Sequence, residues 1–171
     1  MLQALSLFVT LLLSPLNPPA PQDAKVVDLK DGFVRVESKD YTVEVPKDWK
    51  ISDETPWGQR KAQGSGRAEL GVMTGSAAGS TWERLYETSL FFIQREERGT
   101  PTPYKIEKTD QGLDAMTFSV KDRNGFASRR YVVIMNSDRR ILALSVRIPT
   151  QAEEKKLDAY FQRMVKSARF L

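Results

Sequence analysis

Asp114-Ala-Met-Thr-Phe-Ser-Val-Lys121, Phe126-Ala-Ser-Arg-Arg-Tyr-Val-Val-Ile-Met135 and Arg140-Ile-Leu-Ala-Leu-Ser-Val-Arg-Ile148 are three β-prone runs separated only by Asp122-Arg-Asn-Gly125 and Asn136-Ser-Asp-Arg139. Strands this close in sequence pair antiparallel, because parallel neighbours need a crossover of a dozen or more residues. Asn124-Gly125 supplies the positive φ that a tight hairpin requires. The stretch Gly112 to Leu171 therefore reads as a three-stranded meander followed by one amphipathic helix, whose stripe is Leu157, Tyr160, Phe161, Met164, Val165 and Ala168. Thr150 and Glu153 form a capping signature at its start, and Lys166 and Arg169 suit the negative end of its dipole. Period-2 counting in each strand assigns Met116, Phe118 and Val120, and separately Leu142, Leu144, Val146 and Ile148, to the buried face. It leaves Ala115, Thr117, Ser119, Ala143, Ser145 and Arg147 on a plainer face, either solvated, covered by the N-terminal hairpin, or open for binding.

Upstream the chain reads as short strands and one helix. Val26–Leu29 and Phe33–Glu37 flank a Lys30-Asp31-Gly32 turn, and Tyr41-Thr-Val-Glu-Val45 alternates until Pro46, which lacks the N–H to continue a ladder. Trp49, just past that strand, is expected to close the edge of the core. Gln59–Gln63 and Ala68–Thr74 flank Gly64-Ser-Gly-Arg67 as a second hairpin. Ser80 and Glu83 form a capping box for a helix running to about Arg98, with Trp82, Leu85, Tyr86, Ser89 and Ile93 on its inner face and Phe91 on the opposite side. Thr102–Asp110 is expected to add an edge strand. The resulting class is α+β, a central antiparallel sheet with helices packed on it.

Composition bounds the chemistry. The 171 residues contain no Cys and no His and carry a formal charge of +4, with 40% apolar and 28% charged residues. Such a chain suits one folded domain with a single core. Lacking both residue types, it has no disulfide, no thiol nucleophile and no imidazole base, and a zinc site of ordinary type is not expected. No Gly-x-Ser-x-Gly elbow, Ser-x-x-Lys pair or phosphate-binding glycine loop is present, and Asp122–Gly125 lacks the further ligands of a calcium loop. No cofactor is expected. A hydrolase resting on carboxylates alone, or a small-ligand-binding domain, stays open as an alternative.

The first 24 residues read as a targeting segment outside the fold. Leu2 to Leu13 is an apolar run of signal-peptide length, too short for the ~20 residues that span a bilayer. No Lys or Arg precedes it, and a Pro-rich piece from Pro15 to Pro21 follows, which moves the expected cleavage to near Ala24. Export to the periplasm or the extracellular space is the reading, with one domain over residues 25–171; membrane attachment would come only through an uncleaved segment. Removing residues 1–24 takes away Asp23 and no base, raising the charge from +4 to +5.

Tyr41 to Val45 followed by Pro46-Lys-Asp-Trp49, together with Arg130 to Ile134, Arg140 to Leu144, Pro149 and Met164 to Phe170, resembles the PsbP and Mog1-like superfamily. The resemblance spans about residues 33–171. It implies an α+β sandwich of the kind found in photosystem II extrinsic subunits, in a nuclear transport factor that binds a small GTPase, and in many exported bacterial proteins. These relatives share no catalytic site to carry over, and the metal sites known in some use histidine, which this chain lacks. The expectation is an exported, non-enzymatic binding or assembly module acting on a protein or an anionic envelope component. Candidate partner-binding residues are Trp57, in a Pro-Trp-Gly loop, and Arg129, Arg130, Arg139, Arg140 and Arg147 on the meander. Nucleic acid is not an expected partner, since the net charge is modest and no binding motif is present.

Overall fold

The computed structural model of the chain describes residues 24–55, 58–96 and 99–171. Among these, twelve strands form two antiparallel sheets: β1 Lys25–Asp28, β2 Phe33–Glu37, β3 Tyr41–Pro46, β4 Lys50–Ile51, β5 Gln59–Gln63, β6 Glu69–Ser76, β7 Thr100–Pro101, β8 Lys105–Lys108, β9 Asp114–Lys121, β10 Ala127–Met135, β11 Arg140–Arg147 and β12 Arg169–Phe170. The helices are α1 Trp82–Glu96 and α2 Glu154–Ser167. The large sheet runs β4-β5-β6-β11-β10-β9-β7, with β8 also paired to β9, and the small sheet runs β1-β2-β3-β12. Residues 1–23 of the segment expected, over residues 1–24, to be a targeting signal, and the expected end of α1 at Arg98, lie outside the described residues.

The meander forms where the sequence puts it, and its turns are held by side-chain oxygens. Asp122 Oδ1 accepts from the backbone N–H groups of Asn124 at 2.8 Å and Phe126 at 3.0 Å, while Asn136 Oδ1 accepts from Asp138 and Arg140. Such Asx bonds stand in for the backbone turn itself. Gly125 adopts φ +79°, and in the second turn Arg139 takes φ +62° despite its Cβ. The guanidinium of Arg139 offsets that strain by donating to the carbonyl oxygens of Ala77 and Ser80, which ties the turn to the approach of α1.

The register corrects the assignment of faces. Val132 stands opposite both Thr117 and Leu144, so Thr117 and Leu144 share a face. Met116, Phe118 and Val120 therefore point to one side of the sheet, and Leu142, Leu144 and Val146 to the other. Period-2 counting fixes phase within a strand but not between strands, and both faces of this sheet prove apolar in different halves. On one face, Leu142, Leu144, Val146 and Ile148 meet α2 through Leu157, Phe161 and Met164, and beside them the small sheet contributes Val34, Val36, Tyr41, Val43 and Val45 against Leu70 and Val72. On the other face, Met116, Phe118 and Val133 meet Trp82, Leu85, Tyr86, Leu90 and Ile93 of α1. Trp49 is buried and meets Tyr160 of α2 edge-on at 5.9 Å between ring centroids.

Both helix starts depart from the expected caps. Thr81, not Ser80, caps α1: its Oγ1 accepts from the N–H of Arg84 and its carbonyl from Leu85. A 3₁₀ turn over Gln151–Glu153 precedes α2, so Thr150 bonds the Glu153 carboxylate rather than a free helical N–H. Capping patterns tolerate such one-turn shifts because Ser, Thr and Glu satisfy several neighbouring geometries.

Candidate functional site

The meander arginines divide by position. Arg129 and Arg147 are cross-strand partners at one end of the β10–β11 hairpin. Arg139 and Arg140 occupy its other end, where Arg140 donates to the Asp40 carboxylate and to the terminal Leu171 carbonyl at 2.8 Å. Arg130 points to the α2 side and is clamped by Glu154 and Asp158. The five thus do not form one patch, since alternation sends Arg130 to the face opposite Arg129 and the hairpin length separates the two ends. Trp57 lies outside the described residues.

Arg129 and Arg147 border the part of the large sheet that α1 does not cover. There β6 presents Glu69, Gly71, Met73 and Gly75, β5 presents Gln59 and Lys61, and β11 presents Ser145 beside Arg147. Met73 is 40% exposed in mid-sheet, where a large apolar side chain without cover is informative. Gly71 keeps the surface low: a Cβ there would fall 2.6 Å from Ser145 Oγ. Lys61 pairs with Glu69 at 3.3 Å, and Arg147 is exposed. Phe91, on the outward side of α1 as its spacing predicts, is 59% exposed. The result is a shallow, low-relief surface with an apolar centre and basic side chains at its margin.

A concave site lies on the other face. The small side chains Ala115 and Thr117 of β9, with Val132 of β10, leave room beneath the C-terminal half of α2. The cleft has a volume of about 180 Å³ and is walled by Gln162, Val165 and Lys166 of α2 and by the β8–β9 turn from Glu107 to Gln111. Gln111 Nε2 donates to the Ala168 carbonyl at 2.8 Å, pinning the turn to the end of the helix. In the sequence Ala115 and Thr117 belong to a plain face; their effect as a floor depends on what α2 places above them, which no strand pattern states.

Buried ionisable groups gather elsewhere, between the two sheets. Arg60 donates to the Ser52 carbonyl at 2.6 Å and pairs with Glu54 at 3.4 Å, and Ser38 Oγ donates to the same carboxylate at 2.5 Å. Tyr41 is fully buried beside them, and its hydroxyl is pushed up to about 12, first by burial and then by the Glu54 charge. This cluster fills a join in the core and opens into no substrate-sized space. Glu107 and Asp110, the two acids at the rim of the cleft, are exposed to water, whereas an acid prepared for proton transfer sits in an apolar pocket. Among the described residues no three acidic side chains gather as metal ligands, and no helix is long and apolar enough to cross a membrane.

Neither a scan of protein-family models nor a search of curated proteins returns a match. Among solved structures, the chain is similar to the solution structure of cyanobacterial PsbP (CyanoP) from Synechocystis sp. PCC 6803, with 14% sequence identity and a TM-score of 0.57. The match covers 87% of this chain and 93% of that one. The fold is PsbP-like.

Proposed function

We propose that this PsbP-like chain is an exported, non-enzymatic binding or assembly module that docks a protein partner on the uncovered half of its large sheet. One observation carries the reading: α2 and the small sheet cover one face and α1 covers half of the other, while the remaining half keeps Met73 exposed on a floor levelled by Gly71. A low apolar centre with a polar margin is how protein-binding surfaces are built. Arg147, exposed at that margin, favours an acidic partner surface, because complementary charge steers encounter. Export rests on the apolar run from Leu2 to Leu13 and the junction near Ala24, with residues 25–171 as one domain.

The experiment compares recovery of cross-linked partners from envelope extract by the wild-type chain and by a Met73→Glu/Arg147→Glu variant. The expected result is a species retained by the first and lost by the second, with thermal stability unchanged. Equal recovery by both would remove the sheet face from consideration, and retention on anionic vesicles alone would replace the protein partner with a lipid surface. The intact mass of the exported product tests the cleavage near Ala24.

A further inference from the structure

We infer that the cleft between α2 and the β8–β9 turn binds a small zwitterion, a molecule of free amino acid size carrying one carboxylate and one ammonium group. Strand register sets one wall of the site. Glu107 pairs with Ala115, and Lys105 with Thr117, so Glu107 lies on the same face of the sheet edge as the cleft floor. Lys108 pairs with Asp114 on the other face and is bonded to it at 2.7 Å, which neutralises it. Across the cleft, Gln162 and Lys166 stand one helical turn apart, with Val165 between them, so the three share one wall.

With Asp110 as a second acid at the turn, the two walls thus offer opposite charges, Lys166 on the helix and Glu107 on the strand. Neither forms an ion pair among the described residues, although both line the same cleft. A cation and an anion held apart over a floor of Ala115, Thr117 and Val132 match a ligand with separated charges of reversed order. Gln162 and Thr117 add neutral donors and acceptors, and Val165 and Val132 leave an apolar patch for a short side chain. Size limits the class further. One water needs roughly 10–15 Å³ of such space, so about 180 Å³ holds far more than a single water. Drug-sized ligands occupy clefts of roughly 300–1,000 Å³, which excludes nucleotides and oligosaccharides from complete enclosure. The Gln111 bond to Ala168 keeps the turn and the helix end at a fixed spacing, so the site is formed before a ligand arrives.

The test titrates the full chain with the common amino acids, and with acetate and methylammonium as single-charge controls, following backbone amide shifts of residues 107–117 and 162–166. A zwitterion is expected to bind with a dissociation constant on the order of 1 mM, at least about tenfold tighter than either control. Lys166→Gln and Glu107→Gln should each weaken it by about five- to tenfold in a chain that still folds, the melting temperature unchanged for Glu107→Gln and only slightly lowered for Lys166→Gln by the lost helix-end charge, because neither side chain is ion-paired among the described residues. Thr117→Leu, which fills the floor, should abolish binding. No shift from any amino acid, binding by acetate as tight as by the zwitterion, or binding unaffected in both charge variants would each overturn the inference.

Discussion

Glu54 and Arg60 meet at 3.4 Å between the two sheets, where only 9% of one side chain and 6% of the other remain exposed. The pair is also bonded outward, Glu54 by Ser38 and Arg60 to the Ser52 carbonyl, so each charge has a partner beyond the other. Removing one member strands a charge in the core. Arg60→Met is therefore expected to destabilise the domain by about 3–5 kcal/mol in urea unfolding, and adding Glu54→Gln to it should recover part of that loss.

Tyr41 gives the same region an alkaline signature. Its hydroxyl ionises at about 12 in the fold against 10 in the unfolded chain. The unfolded state thus releases the proton first, and the stability contributed by the neutral phenol, fully present below pH 10, is lost as pH rises toward 12. The loss should reach about 2–3 kcal/mol by the upper end of that window. Stability of a Tyr41→Phe variant measured across the same window should fall less steeply.

Arg163 links α2 to the small sheet through three contacts. Its guanidinium lies over the Phe33 ring at 3.8 Å, bonds Glu44 at 2.9 Å and bonds Asp31 at 2.7 Å. The bond from Arg163 holds the Asp31 carboxyl below its usual range. That contribution is present above the ordinary aspartate range and is lost as pH falls through the lowered value. Arg163→Ala should remove this acid-side dependence, and lose about 0.5–1 kcal/mol at neutral pH from the ring contact alone. Acid titrations of both chains, followed by far-UV dichroism, check the first effect, and urea midpoints at pH 7 check the second.

Gly64 has a packing role. A Cβ there would lie 2.5 Å from Cε2 of Trp49, whose indole is buried. Neither the ring nor the hairpin has room to move aside without disturbing Tyr160, which Trp49 meets edge-on. Gly64→Ala is expected to destabilise by about 1–3 kcal/mol and to alter the tryptophan emission of the folded state.

The strands and helices were legible where local chemistry is strong: Asp122–Gly125 and Asn136–Arg139 turn the meander, and Gln59–Gln63 is a strand to the residue. What escaped was set by distant partners. The two-residue strands β4 and β12 have too few residues for a pattern and exist because β5 and β3 offer them an edge. Arg60, in a run that reads as an ordinary half-exposed strand, is buried because its face of β5 meets the small sheet and because Glu54 and Ser52 fold back on it. The cleft escaped for the same reason, as Glu107 and Lys166 are 59 positions apart and nothing local relates them. Among the arginines, alternation alone could have separated Arg130 from Arg129; the split between hairpin ends follows from strand length.

β12 has a consequence for the timing of assembly. The edge of β3 at Tyr41 and Thr42 is paired by Arg169 and Phe170, the N–H of Leu171 bonds the Asp40 carbonyl, and Ser167 Oγ accepts from the Glu44 N–H. A chain made from its N-terminus onward completes β1 to β3 early, yet that edge has no cover until residues 167–171 are synthesised. The small sheet therefore closes only once α2 has been made, and an insertion between Ser167 and Arg169 would compete with that closing step, whereas one placed ahead of β1 would not.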